Sequence, residues 1–226
     1  LVFFGLLAIG FFERALRTDQ LLYWALTGWF VALGLCTHYR FFLYPAAAIL
    51  FLTCFTTARS QWKNPRLWLC ILIACVGLIP ILWFNLSNHL SSASFYFVDR
   101  HPWEFQASGL LHLFKQAGLV TPGLYLLFGY TIYLMYQKAN HGDRSAALLL
   151  SFSLVNILVY LLLAPWTDAT STSIHWPLSG YFPLFVYLPV ALRSAASLLG
   201  AYFTAPTAHR LVIAIPVIGF LGTLTA

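Results

Sequence analysis

The sequence predicts an all-α, polytopic transmembrane helical bundle, and three observations predict it. Of its 226 residues, 61% are hydrophobic and 8% are charged, whereas a soluble domain carries roughly 25% charged residues. The mean hydropathy is +0.81. The apolar residues fall into stretches of about 16 to 20 parted by short polar clusters, the length a helix needs to cross a hydrocarbon core of roughly 30 Å. These properties argue against a water-soluble fold and place nearly all of residues 1–226 in one transmembrane domain.

About eight spans follow in order: residues 1–12, 21–36, 41–57, 67–84, 118–136, 146–164, 176–192 and 211–226. The first is too short to cross unaided and the last stops without a polar flank. With Leu at position 1, both ends read as cut from a longer protein, so no signal peptide can be assigned. No repeat and no low-complexity linker divides the chain.

The net charge is +6. In a soluble chain this would suggest nucleic acid, but here the cations sit between apolar spans and read as topology signals. Arg14, Arg17, Arg59, Lys63, Arg66, Lys138, Arg144, Arg193 and Arg210 occupy alternate connections, against Arg40, Arg100 and Lys115 in the others. Nine against three puts the first set in the cytoplasm. The external face then holds the connections around His38 to Arg40, Asn85 to Lys115 and Pro165 to His175. It also collects His38, His89, His101, His112 and His175.

The long external segment, 85–117, contains helix signals. Pro102 suits a first helical turn, and Trp103, Phe105, Leu110, Leu111, Leu113 and Phe114 alternate loosely with polar residues. This predicts one interfacial helix on the membrane surface, ended by Gly118 and Pro122-Gly123. Cys36, Cys54, Cys70 and Cys75 lie in apolar spans without CxxC spacing. They read as buried structural thiols, with neither a disulfide framework nor a metal site.

Chemistry is concentrated in three external clusters. In the turn Cys36-Thr37-His38-Tyr39-Arg40, an arginine at the membrane edge can pair bidentately with a phosphate while His38 donates beside it. It can equally snorkel to lipid headgroups. The second cluster runs from Trp83-Phe84-Asn85 through His89 to Ser94-Phe95 and Asp99-Arg100-His101-Pro102-Trp103. Its amides, hydroxyls and aromatic rings suit a sugar, or an ordinary interfacial belt. Asp99 beside Arg100 is a functional pair or an exposed salt bridge. The third cluster, Trp166-Thr167-Asp168 and His175-Trp176-Pro177, places His175 at a span boundary, as a polar cap or a substrate contact. Carboxylates on this face are scarce: Asp99, Glu104 and Asp168. No nucleotide-binding or hydrolase motif occurs in a plausible setting. The absence of mid-span charges argues against an ion-coupled transporter.

Taken together, Ala32-Leu33-Gly34-Leu35-Cys36-Thr37-His38-Tyr39-Arg40, Leu82-Trp83-Phe84-Asn85, His89, Ser94-Phe95, Asp99-Arg100-His101-Pro102-Trp103, and His175-Trp176-Pro177 with Gly180-Tyr181 resemble one family. It is that of bacterial membrane glycosyltransferases related to dolichyl-phosphate-mannose protein mannosyltransferases and the aminoarabinose transferase of lipid A. The resemblance implies a GT-C fold in a bacterial inner membrane. It also implies transfer of a sugar from a polyprenyl-phosphate donor to a lipid, glycan or protein acceptor on the periplasmic face. The family's catalytic aspartate lies in a first external loop that would be upstream of these residues, so these residues alone are expected to be inactive. Where the family commonly has a lysine in the first turn, this chain has His38, and Arg40 can supply the charge. The resemblance thus assigns the donor phosphate to His38, Arg40 and Arg100, and sugar or acceptor positioning to Asn85, His101, Trp103 and His175. No cofactor is implied by the residues, and a divalent metal has no ligand set here. A transporter or flippase of lipid-linked sugars is the alternative of a different class, and a noncatalytic subunit a third.

Overall fold

The computed structural model describes residues 1–99, 103–167 and 175–224, and the described residues form helices and turns throughout. Helices α1 (Val2–Thr18) and α2 (Leu21–Leu35) pair as a hairpin. Its corner is Asp19, whose φ of 52° is left-handed, a conformation that Asp tolerates better than most residues. The Asp19 carboxylate accepts hydrogen bonds from Asn64 Nδ2 (2.8 Å) and Trp24 Nε1 (3.0 Å) and pairs with Arg66. The Asn64 and Trp24 bonds, with Arg66 adding its charge, hold that carboxyl below the usual carboxylate range. These contacts join two connections at one end of the bundle.

Helix α3 (Leu43–Cys54) bends by 104° into the stretch that begins with α4 (Thr56–Arg59). Asn64 then caps α5 (Pro65–Val76) by accepting from Arg66 N, with Pro65 in the first turn. Helix α6 (Ile79–Ser87) continues α5, so that Pro65–Ser87 is a single apolar span of 23 residues. This span packs on α2 through glycines. A Cβ at Gly28 would meet Ile73 Cβ at 2.9 Å, and one at Gly77 would meet Ala32 Cα at 2.6 Å. Close backbone approach of this kind is how membrane helices gain packing without a hydrophobic driving force.

After α6 come the short α7 (Ser91–Ser94), a π-helical turn over Phe95–Asp99 and a 3-10 turn over Ala107–Leu111. Helix α8 (His112–Val120) follows, then α9 (Pro122–Asn140), which leaves at 108°. The corner is Thr121, at φ 71°, just before Pro122. Asp143 caps α10 (Arg144–Leu163) by accepting from Ala146 N at 3.0 Å. A 3-10 turn lengthens α10 to a 23-residue span, Arg144–Trp166, of which 56% is buried against 17% of Pro65–Ser87. Helix α10 is therefore the central post, touching α3 and α9. The chain ends with α11 (Leu178–Tyr181), a 3-10 turn over Phe182–Val186, α12 (Leu188–Leu199) bent by 69°, and α13 (Ala205–Leu224).

This is the all-α membrane bundle expected. Among the described residues three helices are long and apolar enough to cross a bilayer alone, and up to six if each bent pair is one span. The expected eight include α1 and α2, whose 17 and 15 residues fall short of that length. Three local expectations change. Asn85 to Ser87 belong to α6 and not to a loop. Residues 103–106 carry no helix, so helical structure here begins only at the Ala107–Leu111 turn and α8; Pro102 lies outside the described residues. Of the four free thiols only Cys70 is buried; Cys36, Cys54 and Cys75 are exposed, and the Cys36 thiol donates weakly to Gly77 O at 3.6 Å.

Gly77→Ala should lower stability by about 1 to 3 kcal/mol through overpacking. Gly118→Ala, where a Cβ meets nothing, should be neutral or stabilising by up to about 1 kcal/mol. Unfolding of the two variants in detergent compares them.

Candidate functional site

The three polar clusters meet at one end of the bundle. The His38 turn sits between α2 and α3, with the Phe41 ring lying on Gly34 and stacked on Tyr44 at 4.6 Å. Within the turn His38 Nδ1 accepts from Arg40 N at 3.1 Å. Arg40 is thereby turned toward α10 and the third cluster: its guanidinium carbon lies 4.6 Å from the centre of the Trp176 ring. Its charge also acts on the Tyr160 phenol of α10. Arg40 Nε is buried and has no hydrogen-bond partner among the described residues. Buried donors are nearly always paired, and a guanidinium N–H left over is suited to an anionic oxygen.

The second cluster closes over the same turn. Tyr96 packs on both Tyr39 (4.8 Å) and His38 (5.6 Å). Asn85, 6% exposed, spends its amide on the protein: Nδ2 donates to Tyr39 Oη (2.7 Å) and Ile81 O (2.8 Å), and Oδ1 accepts from Ala93 N (2.9 Å). Ser94 donates weakly to Asp99 at 3.3 Å. Trp103, at φ 53°, donates from Nε1 to Phe97 O at 2.7 Å. The second and third clusters are joined by Gln106 N to Pro165 O (2.7 Å) and by Phe105 against Trp166. Among the described residues five non-glycines have left-handed φ, and four of them, His89, Leu90, Trp103 and Thr121, lie at this end. Strained backbone persists only where its surroundings fix it, and it gathers at functional sites.

Of the residues singled out in the sequence, His38, Arg40 and Asn85 are together here, and Trp103 lies on the same loop system. His175 is exposed, next to Trp176. Arg100, His101 and Asp168 lie outside the described residues. His112 is not a surface position: it is 5% exposed and lies 3.4 Å from Gln116, which accepts from Tyr181 Oη at 3.0 Å. Tyr96, Tyr160 and Trp176 belong to the site and had been given no role. Trp176 was adjacent to a chosen residue, whereas Tyr160 is an ordinary aromatic in an apolar span until α10 is placed. Among the described residues no group of His, Cys, Asp or Glu could hold a metal.

Below the His38 turn an apolar groove of about 420 Å³ runs between α2, α3 and α5. Leu35, Phe42 and Leu78 line it beside the turn, and Leu67 and Trp62 line it at the other end. From Leu78 to Leu67 this is roughly 16 Å of helix. Leu35 and Phe42, on either side of the turn that carries Arg40, thus belong to both the site and the groove.

Asn85→Ala would leave the Tyr39 hydroxyl and the Ala93 N–H without partners, at about 1 to 3 kcal/mol. Hydrogen exchange across residues 88–99 should speed up in this variant; unchanged exchange would show that Asn85 does not hold the loop.

No curated protein and no solved structure matches the chain. Residues 1–84, which run from α1 through the His38 turn and the groove to the helix carrying Asn85, match the family model of dolichyl-phosphate-mannose-protein mannosyltransferase. That stretch is similar to the mannosyltransferase family which the sequence resembles.

Proposed function

We propose that the protein transfers a glycosyl group from a polyprenyl-phosphate-linked donor to an acceptor at the external, periplasmic face of a bacterial inner membrane. The observation that carries this reading is Arg40: a guanidinium over the Trp176 ring, with a buried Nε that has no hydrogen-bond partner among the described residues, in a turn whose flanking residues Leu35 and Phe42 line an apolar groove. A polyprenyl phosphate has the complementary form, a phosphate on a long hydrocarbon. The mannosyltransferase match over residues 1–84 supports the same chemistry.

In this reading the acceptor attacks the anomeric carbon, the bond from that carbon to the phosphate oxygen breaks, and the electron pair stays on the phosphate. Negative charge grows there as the bond lengthens. Arg40 stabilises the transition state more than the ground state, with Arg100 and His38 as further donors. Burial against the indole holds the guanidinium in place before the reaction, so little reorganisation is needed. Trp103, His101 and His175 contact sugar or acceptor, while Asn85 acts through Tyr39 and the 88–99 loop. A carboxylate takes the acceptor's proton, as the family resemblance implies.

In the full-length protein, Arg40→Gln should reduce transfer from a lipid-linked donor by about a hundredfold, and Arg100→Gln should also reduce it. Full activity in both variants would remove their assigned roles. Ala74→Trp, which fills the groove, should raise KM for a long-chain donor by about tenfold while leaving a short-chain analogue unaffected. An equal effect on both donors would mean that the tail lies elsewhere.

A further inference from the structure

A second cleft, of about 690 Å³, lies near the opposite end of the bundle, where α1 stands beside Lys138 of α9, the start of α10 and the Phe182–Val186 turn leading into α12. It shares no lining residue with the groove. One face of α1 forms its wall: Leu6, Ile9 and Gly10, then Glu13, Arg14 and Arg17. These positions are spaced as neighbours along a helix and run from apolar to charged over roughly 16 Å. The facing wall is mixed as well, with Leu149, Val186 and Val190 beside Lys138, Ser145 and Tyr187.

The charges do not cancel. Glu13 is engaged by Arg17 at 3.8 Å and by Ser145 at 3.3 Å. Arg14 is exposed, its guanidinium 6.0 Å from the Phe11 ring, and Lys138 is exposed. Among the described residues no carboxylate pairs with either. Tyr187 is fixed from behind by its bond to Asp143 at 3.0 Å. At Gly10 a Cβ would meet nothing within 4 Å, so the missing side chain keeps the apolar part open.

We infer that this cleft binds an anionic phospholipid of the adjoining leaflet, with its phosphate between Arg14 and Lys138 and one acyl chain along Leu6, Ile9 and Gly10. Basic clefts between membrane helices select such lipids through charge, and the apolar length holds the chain. The lipid bridges α1 to the α9, α10 and α12 side of the bundle, where α1 and α10 otherwise touch only sparingly. The inference stands apart from the glycosyl-transfer reading, since it uses none of the residues assigned to the donor.

The test is a titration of the intact protein in detergent with dioleoylphosphatidylglycerol and, separately, dioleoylphosphatidylcholine, with bound lipid read by native mass spectrometry. The wild type should prefer the anionic lipid by about tenfold. Arg14→Gln with Lys138→Gln should abolish the preference, whereas Lys63→Gln with Arg210→Gln, at other basic positions, should leave it intact. Gly10→Leu keeps every charge and fills open space, so it should fold and yet lose the preference. Survival of the preference in Gly10→Leu would reduce it to surface charge and overturn the inference. So would equal retention of the zwitterionic lipid, or displacement by millimolar inorganic phosphate alone.

Discussion

The structure is organised around the charge of Arg40. A guanidinium at the edge of a hydrocarbon layer is costly unless something receives it. Here the Trp176 face receives it by a cation–π contact. That contact requires the His38 turn to be tight, the Phe41 ring to lie on Gly34, and the third cluster to reach back over the start of α3. The second cluster follows, because Tyr39 and His38 offer their remaining surfaces to Tyr96 and to the amide of Asn85. Three connections far apart in sequence therefore become one surface. The indole face receives the charge but not the Nε–H, which is buried without a hydrogen-bond acceptor among the described residues.

The bundle beneath follows the same economy. Because lipid is as apolar as Leu, helices associate by close packing and by the few polar contacts available. Gly28 and Gly77 bring α2 against the Pro65–Ser87 span, and α10 is buried between α3 and α9. Where packing is not close, slots are left, one apolar throughout and one graded from apolar to basic. The enclosed polar contacts from His112 through Gln116 to Tyr181 tie α8 to the C-terminal helices, which holds the 108° corner at Thr121.

Much of this was legible in the sequence, and the limits are physical. Apolar runs mark helices, so each expected span has a helical counterpart among the described residues, but helix ends run on into polar residues, as at Thr18, Leu199 and Ala205, and at most six of the eight are long and apolar enough to cross. Periodicity failed at residues 103–106, where aromatic residues suited to an interface mimic an amphipathic helix while the backbone stays irregular. Asn85 was read as loop because it is polar, yet a buried amide with every group paired is equally at home in the last turn of a helix. Arg40 was identifiable from its type and place. Its partners were not, since Trp176 and Tyr160 reach it only through the placement of α10. The cysteines show the same limit: an apolar span does not reveal which of its faces meets lipid.

The central claim is that Arg40 and the groove beneath it receive the phosphate and tail of a polyprenyl-phosphate donor. The most direct measurement is a structure of the full-length protein in a lipid nanodisc with a bound polyprenyl phosphate. The account predicts a phosphate oxygen within about 3.2 Å of Arg40 Nε and hydrocarbon density between α2 and α5. A phosphate bound elsewhere, with Arg40 still stacked on Trp176 and the groove empty of the tail, would contradict it.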